Sequence, residues 1–171
     1  MTIRGIDGDP APLEPGTRVP VQERARRWIA ETLELVVPGG RLVVFDYGAP
    51  TLELARRGTW LRTHRRHEAA DWLADPGSCD ITTDVAVDQL QADHRAERIT
   101  TQAAFLERYG LAELVAEGRR IWAERAAVGD LAALRARSRV AEAEALTDPA
   151  GMGAFVVLEW RSPDTAEPSS S

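Results

Sequence analysis

The sequence contains no lysine and a single cysteine. All 21 of its strongly basic side chains are arginines, a bias that we attribute to a GC-rich genome rather than to chemistry. Because Cys79 has no second cysteine to pair with, an intrachain disulfide is excluded and a reducing compartment is expected.

Long apolar runs are also missing. No stretch approaches the roughly 20 apolar residues of a membrane-spanning helix, and the N-terminal stretch MTIRGIDGDPAPLEPG lacks the apolar core of a secretory signal. The net charge of −6 disfavours general electrostatic binding to nucleic acid or to an anionic membrane. We therefore expect a soluble, cytoplasmic protein that binds neither.

The sequence divides the chain into three segments. Residues 1–19 are rich in Gly, Pro and Asp without periodicity and are predicted to be a loop or mobile lead-in. Residues 20–160 carry periodic apolar patterns over about one domain's length. The polar segment 161–171, RSPDTAEPSSS, is predicted to be a disordered tail.

The most informative stretch is LELVVPGGRLVVFDYG, residues 33–48. Apolar residues at spacings of three and four predict a helix from Val21, which the Pro-Gly-Gly turn at 38–40 ends. Four consecutive apolar residues then predict a strand buried on both faces, which is typical of the centre of a parallel sheet. Asp46 and Tyr47 follow at its carboxyl end, where open α/β sheets bind ligands.

The rest of the chain is predicted to alternate helices with short strands. Helices are predicted over TLELARRG, HEAADWLA, Val85–His94 with Asp80 as its cap, TQAAFLERYGL, 111–127 and 131–146. Strands are predicted over AERIT and AFVVLEW. The stretch TWLRTHRR is predicted to be loop or extended chain. About three strands make a poor parallel sheet, and LVVF is too apolar for an edge. We therefore expect an α/β fold of which the chain is the C-terminal portion, with a neighbouring strand missing.

Five stretches resemble the MidA-type S-adenosylmethionine-dependent methyltransferases, a family that includes the mitochondrial arginine methyltransferase of complex I assembly. They are GGRLVVFDYG, RGTWLRTHRRH, DPGSCDITTDVAVDQL, TTQAAFLERYGL and LTDPAGMGAFVVLEW. Each is weak alone, but the series keeps the family's order from about Val19 to Trp160.

The resemblance implies a Rossmann-like class I methyltransferase fold, a seven-stranded sheet with one antiparallel strand near its end. RLVVFDY looks like the fifth strand, and AERIT and AFVVLEW look like the last two, which pair at the sheet's edge. The family's cofactor-binding half, with its glycine-rich turn, precedes these strands. Residues 5–8 are not such a turn because no apolar strand precedes them. No cofactor-binding residue is therefore assigned, and the chain alone is expected to bind S-adenosylmethionine poorly.

Six side chains are candidates for the acceptor side of such an enzyme. They are Asp46, Tyr47, Arg62, His67, Asp80 and Thr82, and structural alternatives stay open: a cap for Asp46, core packing for Tyr47, a solvated basic loop for Arg62 and His67, and helix capping for Asp80 and Thr82. Asp84 stands where many members of the family carry histidine or aspartate. A zinc site built from the histidines and Cys79 is disfavoured because no paired ligand spacing is present.

The resemblance implies methyl transfer from S-adenosylmethionine to a protein arginine, by a fragment or truncated form that is expected to be inactive alone. The alternative is a non-catalytic interaction module. In that case the helices over 111–146 and the exposed flank of LVVF dock a partner, such as a separately encoded N-terminal half or a second copy.

An unpaired flank on a buried strand exposes backbone donors and acceptors to other chains. We predict that the chain expressed alone is poorly soluble or oligomeric in gel filtration. A monodisperse monomer that melts cooperatively would contradict the expectation of a missing neighbouring strand.

Overall fold

The computed structural model describes residues 13–66, 68–71, 73, 75 and 77–162. Most of the predicted lead-in, nearly all of the predicted tail and the site candidate His67 lie outside these residues, so the domain boundaries stay predictions. The described chain divides into two compact units. Unit 1 contains described residues from 13–42, 46–97 and 160–162, and unit 2 contains 43–45 and 98–159.

Helices and short strands alternate along the described chain, which confirms the mixed α/β class. The helices are Glu23–Leu35 (α1), Thr51–Arg57 (α2), Val87–Leu90 (α3), Gln102–Arg108 (α4), Leu111–Arg125 (α5) and Leu131–Thr147 (α6), with a 3-10 turn at Met152–Ala154. The strands are Arg41–Asp46 (β1), Gly48–Ala49 (β2), Leu61–Arg65 (β3), Glu68–Ala69 (β4), Asp80–Thr83 (β5), Val85–Ala86 (β6), Arg98–Thr101 (β7) and Val156–Arg161 (β8). The expectation of about three strands was therefore too low, because the short pairings in unit 1 carry no clear apolar alternation.

Unit 1 is built from α1, two small sheets and a compact apolar core. Strands β2 and β6 pair in parallel, and β3 pairs antiparallel with β4 and β5. The core brings together the buried residues Ala49, Leu54 and Ala86, with Trp60 packed against them. On α1, Ile29 is buried, with 2% exposure, whereas the neighbouring Trp28 is 53% exposed.

Two predictions within unit 1 are wrong. HEAADWLA contains the short strand β4 rather than a helix. Asp80 begins β5, opposite His64, and the following helix starts only at Val87 with Ala86 in the N-cap position. The β-branched run that follows Asp80 favours a strand, and β3 supplies the antiparallel partner that the local pattern could not reveal.

A three-stranded sheet has the order β1-β8-β7. Strands β7 and β8 are antiparallel, with Ile99 opposite Leu158, so the predicted pairing of AERIT with AFVVLEW is confirmed. The Ser162 N–H, just after β8, donates to the Gly40 carbonyl, just before β1, at 3.0 Å; these two strands therefore run antiparallel. Among the described residues β8 is the strand neighbour of β1, which lies at the edge of this sheet.

Unit 2 encloses a buried carboxylate. Glu159 on β8 is 3% exposed and accepts hydrogen bonds from Arg108 at 3.2 Å and from the Tyr109 hydroxyl at 3.3 Å, while Arg98 lies 3.6 Å away. A buried charge needs such partners to offset its lost hydration. Glu159 therefore ties α4 to β8 within unit 2.

No helix within the described ranges is long and apolar enough to cross a membrane.

The packing of α5 against α6 generates a stability prediction. A Cβ on Gly118 would lie 2.9 Å from the Ala136 carbonyl oxygen of α6. Gly118→Ala should therefore destabilise the fold by roughly 1–3 kcal/mol through overpacking, although Gly-to-Ala in an open helix stabilises by about 0.5–1 kcal/mol. Chemical denaturation measures the difference. Ala116→Gly at an exposed position of the same helix controls for helix propensity, and a more stable Gly118→Ala variant would contradict this packing.

Candidate functional site

Backbone hydrogen bonds in unit 1 bring the end of β1 close to β3 and β6. The Val85 N–H donates to the Tyr47 carbonyl at 2.7 Å, and the Asp84 N–H donates to the Trp60 carbonyl at 2.8 Å. The residue after β1 is thereby fixed against the start of β6, and the residue before β6 is fixed against the start of β3. Side chains distant in sequence meet here.

Four side chains, Asp46, Tyr47, Arg62 and Asp84, form what we call the Arg62 cluster. Arg62 Nη1 lies 2.6 Å from Asp84 Oδ1. The Arg62 guanidinium carbon lies 5.2 Å from the centroid of the Tyr47 ring, within the range of a cation–π interaction. The guanidinium is therefore held between a carboxylate and an aromatic face.

Asp84 is the most buried member of the cluster. The residue is 9% exposed, whereas the Arg62 side chain is 37% exposed. Although Arg62 is close to Asp84 Oδ1, the contact lacks hydrogen-bond geometry, and no described residue supplies a hydrogen bond to that oxygen. Buried carboxylate oxygens are usually hydrogen-bonded, so Oδ1 has unused accepting capacity.

Asp46 is less deeply buried but electrostatically perturbed. Burial disfavours its charged form and raises its pKa above the ordinary value, and the nearby negative charge of Asp84 acts in the same direction. The Tyr47 N–H, which donates to Asp46 Oδ1 at 2.7 Å, and the Arg62 charge both lower this pKa without cancelling the rise. Asp46 is therefore a better proton acceptor than an ordinary surface aspartate once it is ionised.

A hydrogen-bond network of two glutamine side chains, Gln22 and Gln89, fixes the backbone next to the cluster. The Gln22 side chain donates to the Asp84 carbonyl at 2.7 Å and accepts from the Ala86 N–H at 2.7 Å. Gln89 in turn accepts from the Gln22 N–H at 3.0 Å and donates to Thr51 Oγ1 at 2.9 Å. These contacts fix the backbone around Asp84 from the chain segment that precedes α1.

The structure brings three of the six predicted site residues into direct proximity: Asp46, Tyr47 and Arg62. Thr82 is exposed and lies opposite Arg62 in the β3–β5 register, whereas Asp80 lies opposite His64, farther along the strand. Asp84 was not among the predicted candidates. Two signals were available in the sequence: the family position at which Asp84 stands, and its place directly before the apolar stretch VAV, since a carboxylate at the start of a buried strand requires a partner.

No group of metal-ligating side chains occurs among the residues that the structure describes. Cys79 is half-buried and His64 is exposed.

Comparison with known proteins identifies the family. A family model described as "putative S-adenosyl-L-methionine-dependent methyltransferase" matches residues 4–105, more than half of the chain. The chain belongs to this family. No curated protein matches the sequence.

Two solved structures from Burkholderia thailandensis share the fold of this methyltransferase-family chain. One is an uncharacterised protein with 23% identity and a TM-score of 0.64; the match covers 96% of this chain and 48% of that one. The other is described as a "likely methyl transferase" bound to S-adenosyl-homocysteine. It has 23% identity and a TM-score of 0.61, and the match covers 96% of this chain and 46% of that one. The chain thus spans about half the length of these two proteins.

The described residues around the cluster do not fit a cofactor turn of the expected kind. β1 is followed by the short β2 and then by α2, without a glycine-rich turn. The first amide of α2, at Thr51, already donates to Asp88 Oδ1 at 2.8 Å. We therefore assign no residue of the segment from β1 to α2 to S-adenosylmethionine.

The raised pKa of Asp46 has a consequence for stability. Because its folded-state pKa lies above the unfolded value, folding favours the protonated form, and stability is lost as the pH rises through the folded pKa. Asp46→Asn should therefore be more stable than the natural chain near pH 7, by less than about 1 kcal/mol because the carboxyl is partly solvated. The difference should shrink on acidification below the ordinary aspartate pKa.

Thermal unfolding at a series of pH values measures this difference. Asp93→Asn, which removes a carboxylate from the surface ion pair with Arg26, is the charge-matched control. A natural chain more stable than Asp46→Asn at pH 7 would show that ionised Asp46 is stabilised instead.

Proposed function

We propose that this chain acts in S-adenosylmethionine-dependent methyl transfer to a protein arginine, as in the MidA-type enzymes it resembles, and contributes the acceptor side of the site. Membership of the methyltransferase family supports the reaction class. The observation that supports arginine is the cluster itself, in which a guanidinium lies 2.6 Å from Asp84 Oδ1 and 5.2 Å from the centroid of the Tyr47 ring, and its charge also acts on Asp46.

The chemistry of the acceptor explains why two carboxylates are useful. A guanidinium is a planar cation that binds carboxylates strongly and with defined orientation. When one of its nitrogens gains a methyl group, that nitrogen must lose one proton. Asp84, deeply buried, would orient the cation, and Asp46, whose raised pKa makes it a stronger base than an ordinary aspartate, would accept the proton.

The cofactor supplies the methyl group when it is bound, and we assign none of the described residues around the Arg62 cluster to it. We therefore propose that the chain by itself does not complete the reaction, and that residues outside the described region, in the same or another polypeptide, hold the cofactor. The shared length with the two bacterial structures, about half of each, supports this division.

A second candidate function is an interaction module. Strand β1 has one strand neighbour, β8, among the described residues, and Phe45 on β1 is 42% exposed. A free strand edge can pair with a strand of another polypeptide. In this alternative a separately encoded N-terminal half, or a second copy, would add to β1 without any catalysis.

Methyl transfer by native material distinguishes these functions. The protein is recovered from its source cells with an antibody against this chain, together with any bound partner, and supplied with methyl-labelled S-adenosylmethionine and extracted cell protein. We expect labelled methylarginine in the acid hydrolysate, and none from the recombinant chain alone. Asp46→Asn introduced at the native locus should lower the rate by about 100-fold, the usual contribution of a positioned base.

Three outcomes would decide against the proposal. Label on lysine would contradict the acceptor, and a rate unchanged by Asp46→Asn would contradict the proton-accepting role. Native material that holds a stable partner but transfers no methyl group would favour the interaction module.

A further inference from the structure

The Arg62 cluster holds a guanidinium that belongs to the protein itself. Its environment consists of the face of Tyr47, the buried oxygen of Asp84 and the partly buried carboxyl of Asp46. An aromatic face and a carboxylate are the groups that select arginine over other side chains, because guanidinium is planar and weakly hydrated. The surroundings of Arg62 are therefore those expected for a bound arginine.

The internal contact leaves part of this binding capacity unused. Arg62 approaches Asp84 Oδ1 to 2.6 Å without hydrogen-bond geometry, and that oxygen is buried and otherwise unpartnered among the described residues. Arginine can instead form two parallel hydrogen bonds to a carboxylate when its approach is unconstrained. A guanidinium arriving from outside could thus satisfy Asp84 better than Arg62 does.

Arg62 can leave without disturbing the backbone. Its main chain is fixed in β3, opposite Thr82 of β5, while its side chain is 37% exposed and bordered by the half-exposed ring of Tyr47. Rotation about side-chain bonds would move the guanidinium into water. The exchange replaces one ion pair by another, so Asp84 never remains buried without a cation.

We propose that Arg62 is a built-in occupant of the acceptor-arginine site, held by Tyr47 and Asp84, and that the arginine side chain of a protein substrate displaces it. This rests on the proposed acceptor, but the binding it describes requires no methyl transfer. Arg62 then sets specificity: only a side chain that competes with a guanidinium for the same groups enters. While no substrate is bound, the positive charge of Arg62 compensates the buried carboxylate of Asp84.

Binding of a small probe to the full chain tests this. The probe is Nα-acetyl-arginine methylamide, with the lysine analogue as the matched cation, and calorimetry measures the dissociation constants. If Arg62 occupies the site in about nine molecules of ten, Arg62→Ala should bind the arginine probe about tenfold more tightly than the natural chain. Arg26→Ala, which removes an arginine from an exposed ion pair of the same unit, should bind like the natural chain.

Equal affinity of the natural chain and Arg62→Ala for the arginine probe would overturn the proposal, as would equal affinity of Arg62→Ala for the two probes. If Arg62→Ala does not fold, the Nε–H resonance of Arg62 in the natural chain decides. The arginine probe should move that resonance to the position of a solvated arginine, and an unchanged resonance at saturating probe would contradict displacement. Neither readout depends on catalysis, so failure of methyl transfer and failure of this site are separable.

Discussion

The ion pair between Arg62 and Asp84 is the contact on which the candidate site depends. A carboxylate that is nine-tenths buried loses most of its hydration, so removing its cationic partner destabilises the fold, although less than in a fully buried pair because the Arg62 side chain is 37% exposed. The side chains around Asp84 are arranged in keeping with its need for a cationic partner. Tyr47 covers one face of the guanidinium, and Asp46 adds a second negative charge whose own ionisation is made less favourable by Asp84.

The backbone explains why these residues meet. Asp84 sits between β5, which pairs with β3, and β6, which pairs with β2 directly after β1. Two different strand pairings therefore place Arg62 beside the Asp84 carboxylate and the Tyr47 ring beside Arg62, and Gln22 holds the Asp84 carbonyl in place. The backbone of the site is thus hydrogen-bonded on several sides, while the long side chain of Arg62 is 37% exposed, which suits binding of a competing cation.

Local sequence patterns predicted the helices and strands whose formation depends on the residues of the same segment. The helices with apolar faces, the strand RLVVFD and the antiparallel pair of β7 and β8 were found from periodicity and apolar runs. The expected burial of RLVVFD on both faces was wrong, since none of its residues is buried and Phe45 is 42% exposed. β3, β4 and β5 were missed or left open because TWLRTHRR and ITT become strands only through each other. Asp46, Tyr47 and Arg62 were singled out by strand position and family resemblance. Asp84 was noted at a family position but was not chosen as a candidate, because its ion pair depends on a partner 22 positions away whose approach no local pattern encodes.

A double-mutant cycle between Arg62 and Asp84 tests the central claim most directly. The free energies of unfolding of Arg62→Met, Asp84→Asn and the double variant are measured by denaturant titration. If Asp84 requires Arg62, Asp84→Asn should offset much of the loss caused by Arg62→Met, giving a coupling energy of roughly 1–3 kcal/mol. Losses that add to within about 0.5 kcal/mol would show that the two side chains are independent and would contradict this account of the site.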